Sequence, residues 1–168
     1  MINAIRNTVY FVVLVLVQVL LLDNIHFLRI ATPFLYIYFI LKLPASYSPV
    51  KVTFLSFLLG LAVDLLSNTA GMHAAACTLA GFARPYLIKL FMGDELPDNL
   101  VPSFHTFGHN IFMRYALAIA ALHHLALFLI EAMDLFDPLF FAIRLLGSLV
   151  MSLLFIGIVE TFNRRSVG

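Results

Sequence analysis

The stretch GLAVDLLSNTAGMHAAA, residues 60–76, sets Asp64 at the end of one apolar run and His73 at the start of the next. Between them Ser67 to Gly71 are all small or polar. An acid and an imidazole on either side of a turn can do one of two things. They can relay a proton or an ion, the default reading of an ionisable group inside a membrane, where a charge costs about 2.5–3.5 kcal/mol even on a lenient scale. Or they can fasten the turn, the carboxylate accepting from His73 or from the free amides that open the following helix. Asp64 stands near the end of its run rather than in the middle. That lowers the cost of its charge and favours fastening.

A second set lies further on. His124, Phe128 and Glu131 are spaced four and three apart and share a helix face with one another. Arg144 follows in the next apolar run, with Glu131 or Asp134 as its natural partner. Asp64, His73, His124, Glu131 and Arg144 are expected to meet at one depth as a polar network that locks helices together. No metal or other cofactor is expected. Histidines and carboxylates are ligands, but the adjacent His123 and His124 point about 100° apart on a helix, and no HExxH pattern occurs. Nor is catalysis: there is no GxSxG, no phosphate loop and no cysteine paired with a histidine. The lone Cys77 sits in an apolar run and excludes an intrachain disulfide. Arg84 precedes Pro85 within a further apolar run. It is expected to anchor the interface by reaching phosphates, or to meet Asp94 and Glu95, while Pro85 bends the helix.

These residues need elements to position them, and composition says which. The chain of 168 residues is 62% hydrophobic and only 11% charged, against about 45–50% and 25% in soluble domains. So much apolar surface cannot be buried in so small a particle, and the surplus must face lipid. A net charge of +1 gives no reason to expect nucleic acid. The runs are too long and uniform for barrel strands. An all-α integral membrane protein follows, one polytopic domain with six spans at about 6–23, 25–43, 51–67, 71–91, 110–131 and 138–161. The second is short, contains Pro33, and is expected to begin near Ile25 and kink. No small-x-small site follows the first run, so it reads as a retained span. Residues 93–109 form a loop with an interfacial turn around Leu100–Phe107.

Two of these spans should pack tightly. Thr53, Ser56, Gly60 and Asp64 share one face, and Gly71, Ala74, Thr78 and Gly81 share another. Small residues let bilayer helices approach closely. With six spans, one side of the membrane carries Arg6, Lys42, Lys51, Arg84, Lys89, Arg114, Arg164 and Arg165. The other has Arg29, with Arg144 nearby and the acids Glu131, Asp134 and Asp137. The basic side is cytoplasmic by the positive-inside rule, which puts both termini there.

The motif G-L-x-x-D followed by G-x-H-A, as it stands in GLAVDLLSNTAGMHA, resembles the hallmark hairpin of the bacterial rod shape-determining MreD family. PFLYIYFILKLP (33–44), QVLLLDNIHF (18–27), GFARPYLIKL (81–90) and HHLALFLIEAM (123–133) look like its Bacteroidota-type branch, so the resemblance covers about residues 8–162. It implies a multi-pass inner-membrane scaffold of the cell-elongation complex, supporting peptidoglycan synthesis and cell shape. The implied partners are MreC directly, and through it MreB, the RodA glycosyltransferase and a class B penicillin-binding protein. It also implies a fold similar to the S-component, the substrate-binding subunit of energy-coupling-factor vitamin transporters, and no catalytic residues. Asp64, Gly71 and His73 match the family motif, in a structural or partner-facing role. The fold similarity leaves an alternative open: a transport subunit that binds a small molecule or an ion.

Overall fold

The computed structural model describes residues 2–22, 31–93, 96–97, 100–133 and 137–165. Ile25, Arg29, Asp94, Glu95 and Asp134, on which parts of the sequence reading depend, lie outside them. Among the described residues the chain is helical, with no strand. Helix α1 (Ile2–Val17) runs into a π-helical turn at Gln18–Leu22. There follow α2 (Ile37–Lys42), α3 (Pro49–Ser67), α4 (Met72–Met92), α5 (Phe104–Phe107), α6 (His109–Glu131) and α7 (Pro138–Arg165).

Among the described residues three helices are long and apolar enough to cross a bilayer: α3, α6 and the Pro138–Asn163 part of α7. α4 is also long, at 21 residues. It packs between α3 and α6, so it has no need to be apolar on every side and can carry Arg84 and Lys89. The polarity of the particle is inverted. Gln18, Ser56, Asp64, His73, Arg84, His123, His124, Ser148, Ser152 and Glu160 are buried, while Val50, Phe54, Leu65, Leu90, Leu146 and Phe162 stand more than half exposed. Water would not tolerate that exterior; a lipid surround does.

The predicted second span differs most from expectation. Among its described residues, 31–43, helix occupies only Ile37–Lys42, about 9 Å at 1.5 Å per residue, against the roughly 30 Å of a hydrocarbon core. Residues 31–34 are not helical, and 35–36 make a turn. The reason is that side chains from other helices complete this backbone. Gln18 Nε2 donates to the Pro33 carbonyl at 3.0 Å, and Gln18 Oε1 accepts from Leu35 N at 2.9 Å. Ser148 and Ser152 accept from Thr32 N at 3.1 Å and Phe34 N at 2.8 Å. Non-helical backbone at membrane depth is tolerated only when it is enclosed and satisfied in this way.

The ends of α3 and α4 follow local chemistry. Ser48 caps α3 and Pro49 takes its first position. Asn68 closes it in the left-handed region with φ 54°, its amide bonded to the Asp64 carbonyl. α4 continues unbroken through Pro85. Between α4 and α6, Ser103 caps the short α5 by accepting from Thr106 N at 3.0 Å. Phe104 and Phe107 are buried in the core, and the Leu100 carbonyl accepts from Ala45 N at 2.7 Å, tying this loop to the α2–α3 turn.

Candidate functional site

The α3–α4 hairpin is held by its acid. Asp64 is 3% exposed. Its Oδ1 accepts from the Thr69 hydroxyl at 2.5 Å and from His73 N at 3.2 Å, and its Oδ2 accepts from Ala74 N at 2.8 Å. The carboxylate thus serves as the cap of α4 from the neighbouring helix, satisfying amides that have no intrahelical partner. Gly71, the residue before α4, has φ 82°. Gly60 and Gly81 explain how closely the helices meet. A Cβ on Gly60 would strike the His73 carbonyl and lie 2.6 Å from Ala74 Cα; one on Gly81 would strike Ser56.

The His73 ring points away from Asp64's turn and into the core. Its Nδ1 lies 2.7 Å from the Tyr36 hydroxyl, and His123 Nε2 lies 2.8 Å from that same oxygen. A phenol has one proton to donate, so the two rings adopt complementary roles, one accepting it and the other donating its own. His123 is fully buried, and its second nitrogen, Nδ1, has no partner among the described residues. The ring of Phe34 packs against His73, His123 and His124 at centroid distances of 5.9, 5.9 and 5.2 Å. His124 makes separate bonds: Nδ1 with the Ala120 carbonyl at 2.7 Å and Nε2 with Ser152 Oγ at 3.0 Å.

Arg84 does not reach for the interface. It is 1% exposed. Its Nε donates to the Tyr115 hydroxyl at 2.8 Å, and its Nη2 donates to the carbonyls of Leu41 and Leu43. The physical reason is the short α2, whose last carbonyls lack partners in their own helix. A guanidinium supplies several donors in a fixed fork.

No family model matches this chain, and neither a curated protein nor a solved structure is significantly similar to it.

Glu131 and Arg144 stand apart from the histidines. Arg144 Nη1 donates to Glu131 Oε1 at 2.9 Å at one end of the α6–α7 pair, with the guanidinium 4.9 Å from the Phe128 ring centre. No hydrogen bond joins this pair to Asp64 or His73 among the described residues. Instead of one hydrogen-bonded network there are separate clusters that meet through ring contacts: Phe128, beneath the Arg144 guanidinium, packs against both Phe34 and His124, each at 6.1 Å between ring centres.

A further cluster escaped the sequence reading. Glu160, 2% exposed, accepts from the Tyr38 hydroxyl at 2.6 Å, from Lys42 Nζ at 3.1 Å and from Phe104 N at 3.1 Å. It joins α2, α5 and α7. The signal was present: an acid within an apolar span of helical length demands an explanation. The same holds for Gln18 in the first apolar run. Tyr36 and Tyr115 gave no such signal, because a tyrosine in an apolar run passes for an interface residue. Among the described residues no three histidine, cysteine or carboxylate side chains gather as a metal ion would require.

Proposed function

We propose that this chain is a non-enzymatic scaffold of the MreD type in a bacterial inner membrane, multi-pass with cytoplasmic termini. It holds a partner's transmembrane helix, that of MreC, within the complex that elongates the cell wall. The observation that carries this reading is the use to which the motif is put. Asp64, Gly60 and Gly71 are spent on fixing one hairpin, and the ring of His73 on tying it to α2 and α6. Buried polar groups bond inward to one another, so the chain offers other molecules its apolar helix faces and short connections. A protein so built acts by being held against other helices.

Co-purification with MreC from the same organism in mild detergent tests the reading directly, and repeated failure to recover MreC would count against it. Depletion in a rod-shaped host is expected to round or swell the cells; rods of normal shape would point to another role. A reporter fused at Gly168 that works only outside the cytoplasm would overturn the orientation.

One observation favours a carrier of a small molecule or ion as a second reading. His73, Tyr36 and His123 form an imidazole–phenol–imidazole chain that ends in a nitrogen unpartnered among the described residues, beside non-helical backbone, and transporters bind substrates and ions where helices are interrupted. Thermal stabilisation by any member of a vitamin and ion panel, without any by MreC, would select it.

A further inference from the structure

At the end of the α6–α7 pair a half-open cleft of about 120 Å³ is lined by Phe128, Glu131, Asp137, Phe140 and Arg144. Its charged groups are incompletely used. Arg144 has five N–H donors and among the described residues bonds only Glu131. Its guanidinium is held in place by rings rather than by further bonds, 4.9 Å from the centre of Phe128 and 5.6 Å from that of Phe140. Glu131 Oε1 meets Arg144, which leaves Oε2 free. Asp137 Oδ1 accepts from Leu139 N and Phe140 N at the start of α7, which leaves Oδ2 free. The pair is well exposed, 27% and 39% for the two side chains, so it contributes little to holding the helices together.

The position is informative too. Glu131 is the last residue of α6, and Arg144 lies six residues into α7, about 9 Å along it. That is the depth of a headgroup against hydrocarbon at the end of two spanning helices. Leu129, Leu139 and Ile143, all more than 40% exposed, continue the surface beside it as apolar wall.

The geometry points to this cleft as a binding site for the headgroup of a zwitterionic phospholipid that bears a primary amine. The phosphate sits on the free donors of Arg144, and the ammonium between Glu131 and Asp137. Among the described lining residues one cation and two carboxylates give a net charge of −1, so a purely anionic headgroup meets repulsion where this one meets a partner for each charge. A primary ammonium donates hydrogen bonds to carboxylate oxygens, which a quaternary amine cannot do. A cavity of about 150 Å³ takes the six carbons of benzene, so about 120 Å³ encloses roughly five heavy atoms, and the rest of a phosphoethanolamine lies in the open mouth of the cleft. The site depends on the chain lying in a membrane and not on its having MreC as a partner.

Native mass spectrometry of the purified full chain tests it. The protein is offered phosphatidylethanolamine, phosphatidylcholine and phosphatidylglycerol of identical acyl chains at equal concentration. The amine-bearing lipid is expected to be retained several-fold over the other two. Arg144→Gln is expected to abolish that preference, and Glu131→Gln to shift it towards phosphatidylglycerol, because the lining loses its net negative charge. Equal retention of the three lipids, or an unchanged preference in Arg144→Gln, overturns the proposal. Free phosphoethanolamine that raises the melting temperature as much as the lipid does overturns the lipid assignment. Should Arg144→Gln not fold, Glu131→Gln on the rim carries the test, and an unaltered order of lipids in that variant is equally fatal.

Discussion

Replacing Gly60 by alanine adds a single methyl group at the tightest point of the α3–α4 seam. The added carbon would lie 2.6 Å from Ala74 Cα and closer still to the His73 carbonyl, both backbone atoms. Non-bonded carbons settle at about 3.5–4.0 Å, so the helices must part by roughly 1 Å. Parting them also stretches the bonds from Asp64 to His73 N and Ala74 N. Overpacking of this kind costs about 1–3 kcal/mol. Alanine returns up to about 1 kcal/mol through its better helix propensity. With the full return subtracted, a net loss of about 0–2 kcal/mol remains, towards the upper end because the atoms struck are backbone. The molecule contains its own controls. A Cβ on Gly157 of α7 meets no atom within 4 Å, so Gly157→Ala is expected to be neutral or to stabilise slightly. Gly81→Ala should fall between, because its methyl meets Ser56, whose hydroxyl can rotate away while its Cβ, at 2.6 Å, cannot. Denaturation of the purified variants in mixed micelles, followed by far-ultraviolet circular dichroism, gives the order. If Gly60→Ala is as stable as the parent, or shifts in the same direction and amount as Gly157→Ala, the close approach of the two helices is wrong.

Three other substitutions probe the interior. Asp64→Asn keeps one acceptor oxygen but turns an amide N–H₂ towards a backbone N–H, so it should cost about 1–3 kcal/mol for the amide left unpaired; an unfolding midpoint equal to the parent's would contradict the capping role. Arg84→Lys retains the charge and gives up the fork, so the bonds to Tyr115 and Leu43 cannot both survive; a loss of about 1–3 kcal/mol is expected, read as a lower midpoint in the same assay. Tyr36→Phe removes the hydroxyl shared by His73 and His123. It should destabilise by a similar amount and perturb the imidazole signals of both histidines in nuclear magnetic resonance spectra, and a change confined to one ring would show that the hydroxyl does not bridge them.

How much of this was legible in the sequence depended on the range of the interactions. The α3–α4 packing was, because small residues recurring every three or four positions mark a close helix face within a single segment. The cap by Asp64 was legible for the same reason: donor and acceptor lie nine and ten residues apart. The turn at residues 100–107 was readable from its prolines and polar residues. The non-helical course of residues 31–36 was not, since the groups that make it tolerable come from Gln18, Ser148 and Ser152, and Pro33 alone suggests only a kink. Arg84 was misjudged because a sequence shows an arginine near a membrane surface but not the carbonyls of another helix waiting for it. The grouping of His124 with Glu131 did not hold for a related reason. The two share a helix face, but His124 is buried beside Ser152 while Glu131 stands half exposed at the end of the helix. α6 packs against both α4 and α7, so His123 and His124 are each enclosed on different sides.

The backbone between Thr32 and Leu35 has a consequence for how the protein is made. Two of its amides are completed by serines 116 and 118 residues further along the chain. A ribosome delivers those serines long after the segment itself has emerged. During that interval the segment cannot be released into lipid as a finished helix, because its own residues do not satisfy it. It must wait in a polar setting, in the insertion channel or against a chaperone, until α7 arrives to close the particle. Synthesis interrupted before α7 would leave a product that the membrane cannot hold, and clearance by quality-control proteases would fall on those truncated chains first.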